Sequence, residues 1–297
     1  MDKLEQPKLN FFAKHAKIVV ILAVLSGSTS GILGKMITAG SMVIGFYRLA
    51  FCLPFFAIPV LLYHRDEIKA LTKGDWSWCA LAGFFLFFHF FSWFKAVHMT
   101  TIASAIVLSA LHPLVVLVVT ILIWKQKVNR KAIAGILIAL FGGAIVAGLD
   151  YTFEGSFIGN LLALCAAVGM GLYFCVGLKM RERIPAGTYV FLIFAFCWFF
   201  FLIGMLATGT PFIGYPPMDW IWMILMTLLC QIGAHAVFNW SLGYVSPLYI
   251  STWETSEIVL SPLLAFLVLS ELPTAWQIGG AIIVIAGLLW YNFNEEK

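Results

Sequence analysis

Ten times along this chain a run of about 20 apolar residues recurs, and only short connections separate the runs. A helix rises 1.5 Å per residue, so each run matches a hydrocarbon core about 30 Å thick. The runs span approximately 17–37, 41–63, 76–98, 101–124, 131–149, 157–179, 187–208, 218–243, 247–269 and 275–293. Because lipid offers no hydrogen bonds, a chain of this kind folds as helices or as a closed barrel. The ten-residue alternating strands of a membrane barrel are missing here, so the expected class is an all-α integral membrane protein. Composition agrees, at 62% hydrophobic and 11% charged where soluble domains average about 25% charged. The opening stretch MDKLEQPKLNFFAKHAK is too polar to begin a signal peptide, and the first run is read as a retained span.

Basic residues set the expected orientation. With the N-terminus inside, Lys3, Lys8, Lys14, Lys17, Arg65, Lys69, Lys73, Lys125, Lys127, Arg130, Lys131, Lys179, Arg181, Arg183 and Lys297 all fall in cytoplasmic segments. The outer connections at 150–156 and 208–219 contain no Lys or Arg. This bias places both termini in the cytoplasm of a cell whose cytoplasmic membrane holds the protein. The formal net charge of +4 therefore follows from topology and implies no nucleic-acid partner. Lys35 and Lys95 lie near outer ends and are expected to snorkel. The six cysteines sit inside apolar runs without metal-ligand spacing and read as small apolar filler.

The ninth run carries the unusual chemistry. Glu254 and Glu257 lie near its middle, and at 100° per residue Ser251, Glu254, Glu257 and Ser261 share one stripe of a continuous helix. A carboxylate at the centre of a bilayer costs on the order of 3 kcal/mol, so two of them ask for a wet or paired interior.

The chain also repeats internally. A shift of 145 places Thr101 on Ser246, His112 on Glu257, Gln126 on Glu271, Gly135 on Gly280 and Gly142 on Gly287. A shift of about 146 places HFFSW (89–93) beside HAVFNW (235–240). Five spans per repeat is an odd number, so the halves are expected to be inverted. The expected division is a cytoplasmic segment 1–16, a first five-helix repeat 17–150, a second 151–293 and a cytoplasmic tail 294–297. Asn129 is placed to cap the fifth span, and Thr274 with Gln277 forms a capping-box pattern at the tenth. Gly27 and Gly31, and Gly135, Ala139 and Gly143, permit close helix contacts, either within the bundle or across a homodimer.

The stretches TTIASAIVLSALHPLVVLVVTILIWKQKVNRKAIAGILIALFGGAIV and HAVFNWSLGYVSPLYISTWETSEIVLSPLLAFLVLSELPTAWQIGGAIIVIAGLL resemble the drug/metabolite transporter superfamily, in its EamA-type ten-helix carriers. FYRLAF around Arg48 is similar to the arginine common on that family's second helix. There are departures: Ile258 stands where proline usually follows the glutamate, Lys125-Gln126 replaces the first Gly-Glu pair, and Ser270-Glu271 keeps only the acid of the second. Glu271 is read as a helix-end structural residue.

The resemblance implies a central cavity lined by the third, fourth, eighth and ninth spans, with the first and sixth helping. His112 and Glu257 then become symmetry mates at mid-membrane. Glu257 is a candidate proton carrier or ligand for a substrate amine, or a hydrogen-bonded structural acid. Glu254 carries the same alternatives. His112, before Pro113, can line the site or bond a carbonyl that the proline frees. His89 and His235 recur in the two halves with Trp93 and with Asn239-Trp240, as cavity residues or as packing locks. Arg48 can hold a carboxylate bidentately or pair with a glutamate. Trp253, like Trp93 and Trp240, can stack on a planar substrate or only pack.

Phosphate loops, metalloprotease patterns and nucleophile elbows are missing from the sequence, and no cofactor or metal is implied. The expected function is therefore a secondary transporter of a small polar metabolite, amino-acid-like or another zwitterion or amine and in some cases aromatic. It works by alternating access, with efflux favoured and a proton as a coupling partner. The alternatives are an integral membrane enzyme acting on a lipid-linked substrate, and a channel or scaffold.

Overall fold

Helix is the only regular structure among the described residues, which in this computed structural model are 11–100, 102–148, 157–269 and 275–294. The ten apolar runs all fall on helix. They are the two-part α1 (Ala16–Gly27 and Ser30–Met36), α2 (Ser41–Tyr63), α3 (Lys73–Met99), the two-part α4 (Ile102–Ser109, then His112–Val118 running on to Ile123), and α5 (Arg130–Gly148). The second half contributes α6 (Phe157–Arg181), α7 (Ala186–Thr208), α8 (Pro217–Ser241), the two-part α9 (Pro247–Glu254 and Glu257–Leu269), and α10 (Ala275–Asn294). Seven of these, α1 to α4 and α6 to α8, are long and apolar enough among the described residues to cross a membrane.

Local chemistry marks the helix starts. The Thr72 hydroxyl accepts from the Asp75 amide while the Asp75 carboxylate accepts from the Thr72 amide at 2.9 Å, a reciprocal cap that begins α3. Asn129 takes the expected capping role on α5, accepting from the Lys131 amide at 2.9 Å. The Thr274 cap on α10 lies outside the described residues.

The helices of the two halves interleave. α5 packs on α10, α3 on α6, α2 on α7 and α1 on α8, and the second part of α4 touches the first part of α9. Exchanging α1–α5 with α6–α10 maps this pairing onto itself, since α3 with α6 becomes α8 with α1. The repeat seen in the sequence is therefore also a repeat of contacts.

The tightest of these pairs is α5 with α10, and small residues make it so. A Cβ added at Gly135 would stand 2.6 Å from the Tyr291 amide nitrogen, one at Gly142 2.7 Å from that of Val284, and one at Gly287 2.5 Å from that of Ala139. Backbone meets backbone at three levels, the geometry that small residues allow in lipid. These glycines face each other inside the chain.

A valine at Gly287 has backbone on its far side that cannot yield. Gly287→Val is expected to destabilise the purified protein by about 1–3 kcal/mol, read as a lowered Tm in detergent. Gly279→Val, on the same helix with nothing within 4 Å of its Cβ position, is expected to stay near wild type. Equal melting of the two variants would show that the α5–α10 seam does not carry stability.

Candidate functional site

Two helices are broken at the same place in their repeats. α4 is interrupted at Ala110-Leu111 and restarts at His112, while α9 is interrupted at Thr255-Ser256 and restarts at Glu257. The 145-residue shift carries each of these positions onto its counterpart. In α4 the cause is Pro113, which sits at the start of the new helix and supplies no amide to the old one. In α9 the hydroxyls do it: Ser256 Oγ donates to the Trp253 carbonyl at 2.6 Å and Ser251 Oγ to the Leu248 carbonyl at 3.1 Å, competing with the helical ladder. The stripe expected to run unbroken from Ser251 to Ser261 is thus cut between its two glutamates. Glu257 becomes the first residue of a half-helix, at the positive end of its dipole, and Ser261 Oγ ties that half-helix to the Ser28 carbonyl of α1 at 3.0 Å.

A cavity of about 60 Å³ lies at these breaks, walled by α1, α2, α3, α4, α6, α8 and α9. Seven of the expected residues line it: Arg48, His89, Trp93, His112, His235, Glu254 and Glu257. His112 does not meet its symmetry mate. Its Nε2 lies 3.0 Å from Glu254 Oε2, both side chains being buried, and its Nδ1 donates to the Ser109 carbonyl at 3.0 Å. A carbonyl only accepts, so the Nδ1 proton is accounted for.

Glu257 faces the cavity against Gly27, whose missing Cβ would stand 3.0 Å from the carboxylate oxygen. No donor among the described residues bonds it. His89 and His235 do come together, with ring centroids 6.1 Å apart, and His89 Nδ1 donates to the Ala166 carbonyl at 2.9 Å.

Three expected residues lie elsewhere. Asn239 is fully buried and bonds the Tyr173 hydroxyl and the His235 carbonyl, so it joins α8 to α6. Trp240, one residue on, turns away to pack on Tyr244 at 4.7 Å. Trp253 packs against Ala139, Val284 and Leu288 of the α5–α10 pair. Residues not singled out from sequence include Phe90, Met170, Cys230 and Phe238 on the wall, and Gln231 behind Arg48. An amide in the middle of an apolar run was the available signal for Gln231. Among the described residues no group of three or more His, Cys, Asp or Glu side chains is arranged to hold a metal ion.

The two ends of the bundle differ. A vestibule of about 680 Å³ opens where Lys17, Lys127 and Arg181 cluster, at the ends of α4, α6 and α8 and the start of α9. The His112–Glu254 pair lines the cavity, and the Phe238 ring on its wall lies 6.1 Å from that of Phe174. At the far end, buried Asp219 at the start of α8 accepts from the Thr38 amide at 3.1 Å, the Thr38 hydroxyl at 2.8 Å and the Ala39 amide at 3.0 Å. The α1–α2 turn is thereby latched to the second half, and Tyr47 adds a bond to the Phe212 carbonyl at 2.5 Å.

Residues 15–148 match the model of the EamA-like transporter family, and residues 157–293 match it a second time. The chain belongs to that family. This EamA-like transporter is similar to an uncharacterized transporter of Synechocystis sp., at 22% identity over 94% of this chain and 88% of that protein. It is also similar to an uncharacterized transporter of Archaeoglobus fulgidus, at 24% identity over 84% of this chain and 89% of that one. A solved crystal structure of 17% identity shares the fold, with a TM-score of 0.76 over 95% of this chain and 98% of that chain. In the EamA-like transporter the two family matches divide the cavity between them, α1 to α4 coming from the first and α6, α8 and α9 from the second.

Asp219→Asn replaces one acceptor of the latch with donors that face the Thr38 hydroxyl and the Ala39 amide. Bonds to a charged group are worth about 1.5–3 kcal/mol each, so the α1–α2 turn should part from the start of α8 more often. In a chain retaining Cys230 alone, this variant is expected to react several-fold faster with a membrane-impermeant maleimide applied at the Asp219 end. Unchanged labelling would mean that the latch does not hold that end closed.

Proposed function

We propose that this EamA-like transporter is a secondary carrier that moves a small polar metabolite, an amino acid or another amine-bearing molecule, across the cytoplasmic membrane by alternating access. One observation carries the reading. A single cavity at the breaks of α4 and α9 holds an unpaired carboxylate, Glu257 from the second half, and a buried guanidinium, Arg48 from the first. Two such charges inside hydrocarbon are costly unless something wet or charged enters between them.

The cavity of about 60 Å³ is well below the roughly 300–1,000 Å³ of ordinary ligand pockets, as in a state closed around nothing larger than water. Its neighbour of about 680 Å³ gives access from the basic end, where the excess of Lys and Arg puts the cytoplasm. Entry from that side, sealing behind the substrate and release past Asp219 form an efflux cycle. Ten spans in two inverted halves with both termini inside fit this scheme, because the broken helices then pivot about one central site. Glu257 is the group assigned to the substrate amine and to a coupled proton, since it faces the cavity without a donor. His112, Glu254, His89, His235 and Trp93 complete the wall that the substrate meets.

Counterflow in proteoliposomes tests the reading. Saturable, substrate-specific exchange of radiolabelled amino acids or amines is expected. Glu257→Gln is expected to slow it by at least about tenfold, the loss of one charge-assisted contact, and to flatten its dependence on pH. A variant with the wild-type rate and pH response would remove Glu257 from the mechanism, and conductance without saturation would overturn the carrier reading.

A further inference from the structure

Arg48 is buried to 1% exposure in the first half of α2. Its Nε donates to Gln231 Oε1 of α8 at 2.6 Å, and its guanidinium carbon lies 4.3 Å from the centre of the Phe90 ring, which holds the plane of the group from below. The Thr227 hydroxyl shares its proton between the Met223 carbonyl at 2.8 Å and the Arg48 backbone carbonyl at 3.2 Å, so the same stretch of α2 touches α8. One terminal nitrogen, Nη2, has no acceptor. No carboxylate of the described residues lies within 4.0 Å of the group, so the glutamate pairing open from sequence is not made. Gln231 is neutral and satisfies one N–H without cancelling any charge. A buried charge left this way costs several kcal/mol unless a counter-charge arrives from outside the chain.

A guanidinium offers a carboxylate two bidentate edges, one through Nε and one through the two terminal nitrogens. Gln231 occupies the first, so the terminal edge is what remains, and Arg48 lines the cavity. Gln231 itself lies in the π-helical turns of α8, residues Thr227–Ala236, a distortion often kept at functional sites. The acidic group on this wall without a hydrogen-bond donor among the described residues is the Glu257 carboxyl. One positive and one negative group on the same wall match a molecule bearing one of each, while a phosphate dianion would meet Glu257 with the wrong sign.

We infer that Arg48 is the carboxylate subsite of the cavity and Gln231 its positioning residue, so that the transported molecule is an amino acid or a close relative, held with its carboxylate on the terminal guanidinium edge and its amine toward Glu257. This deepens the carrier reading and rests on it for the word transported, though not for binding.

Ligand-induced thermal shifts of the purified full chain test it with a fixed panel: the L-amino acids, their decarboxylated amines, the matching carboxylic acids without the amine, and a phosphomonoester. In wild type, at least one amino acid is expected to bind about tenfold or more tighter than its own amine. Arg48→Lys should erase that preference. Gln231→Glu supplies an internal counter-charge to Nε, so it should keep or raise the ligand-free Tm, weaken carboxylate binding about tenfold and leave amine binding unchanged. A purely structural role for Gln231 would lower the affinities of acid and amine together. Equal binding of amino acid and amine by wild type, parallel losses in Gln231→Glu, or a phosphomonoester binding tighter than any carboxylate would each overturn the subsite. Counterflow of amines without a carboxylate preference would leave the carrier standing and remove the subsite. Carboxylate binding that depends on Arg48, with no counterflow of any bound ligand, would do the reverse.

Discussion

A helix that ends inside a bilayer exposes amide and carbonyl groups that lipid cannot satisfy, and α4 and α9 both end and restart there, as α1 does at Ser28-Thr29. The breaks in α4 and α9 exist because the interleaved halves surround them. α6 flanks both parts of α4, and α1 flanks both parts of α9. Side chains take up part of what the ladder releases, as Ser256 and Ser251 do within α9 and Ser261 does toward α1. Everything at the site follows from this shielding, for without it neither His112 nor Glu257 could begin a helix at that depth.

The charges are distributed so that not all are cancelled within the protein. His112 and Glu254 pair across the two halves at 3.0 Å, as do Asp219 and the α1–α2 turn at the far end. Among the described residues, Arg48 and Glu257 have no such partner. The paired groups join the two halves of the chain, and Arg48 and Glu257 line the cavity between them. The α5–α10 seam, by contrast, is held by backbone against backbone.

Much of the fold was legible in the chain. Apolar runs of the right length and the 145-residue repeat are properties of local composition and spacing, which lipid reads almost directly. The repeat even placed the two helix breaks in register, although only Pro113 announced one of them. Seven of ten expected site residues line the cavity, because a polar side chain in a span has few other places to go. The remaining three show the limit. Asn239 follows His235 by one turn, yet it bonds Tyr173, since the backbone between them passes from π-helical to α-helical turns at Ala236. Trp240 and Trp253 are apolar enough to pack anywhere, and their neighbours decided where.

By itself, then, the sequence determined the class of solvent, the helical segments, the duplication and which residues were too polar to be left in lipid, because each of these depends on side-chain transfer energies and on short-range spacing. Only the tertiary structure decided who meets whom. Glu254 rather than Glu257 faces His112, a break of two residues separates the acids, and Gln231 rather than a glutamate holds Arg48. Those outcomes depend on contacts between residues more than 100 positions apart and on where hydroxyls and a proline interrupt the helical ladder, and no periodicity along the chain encodes them.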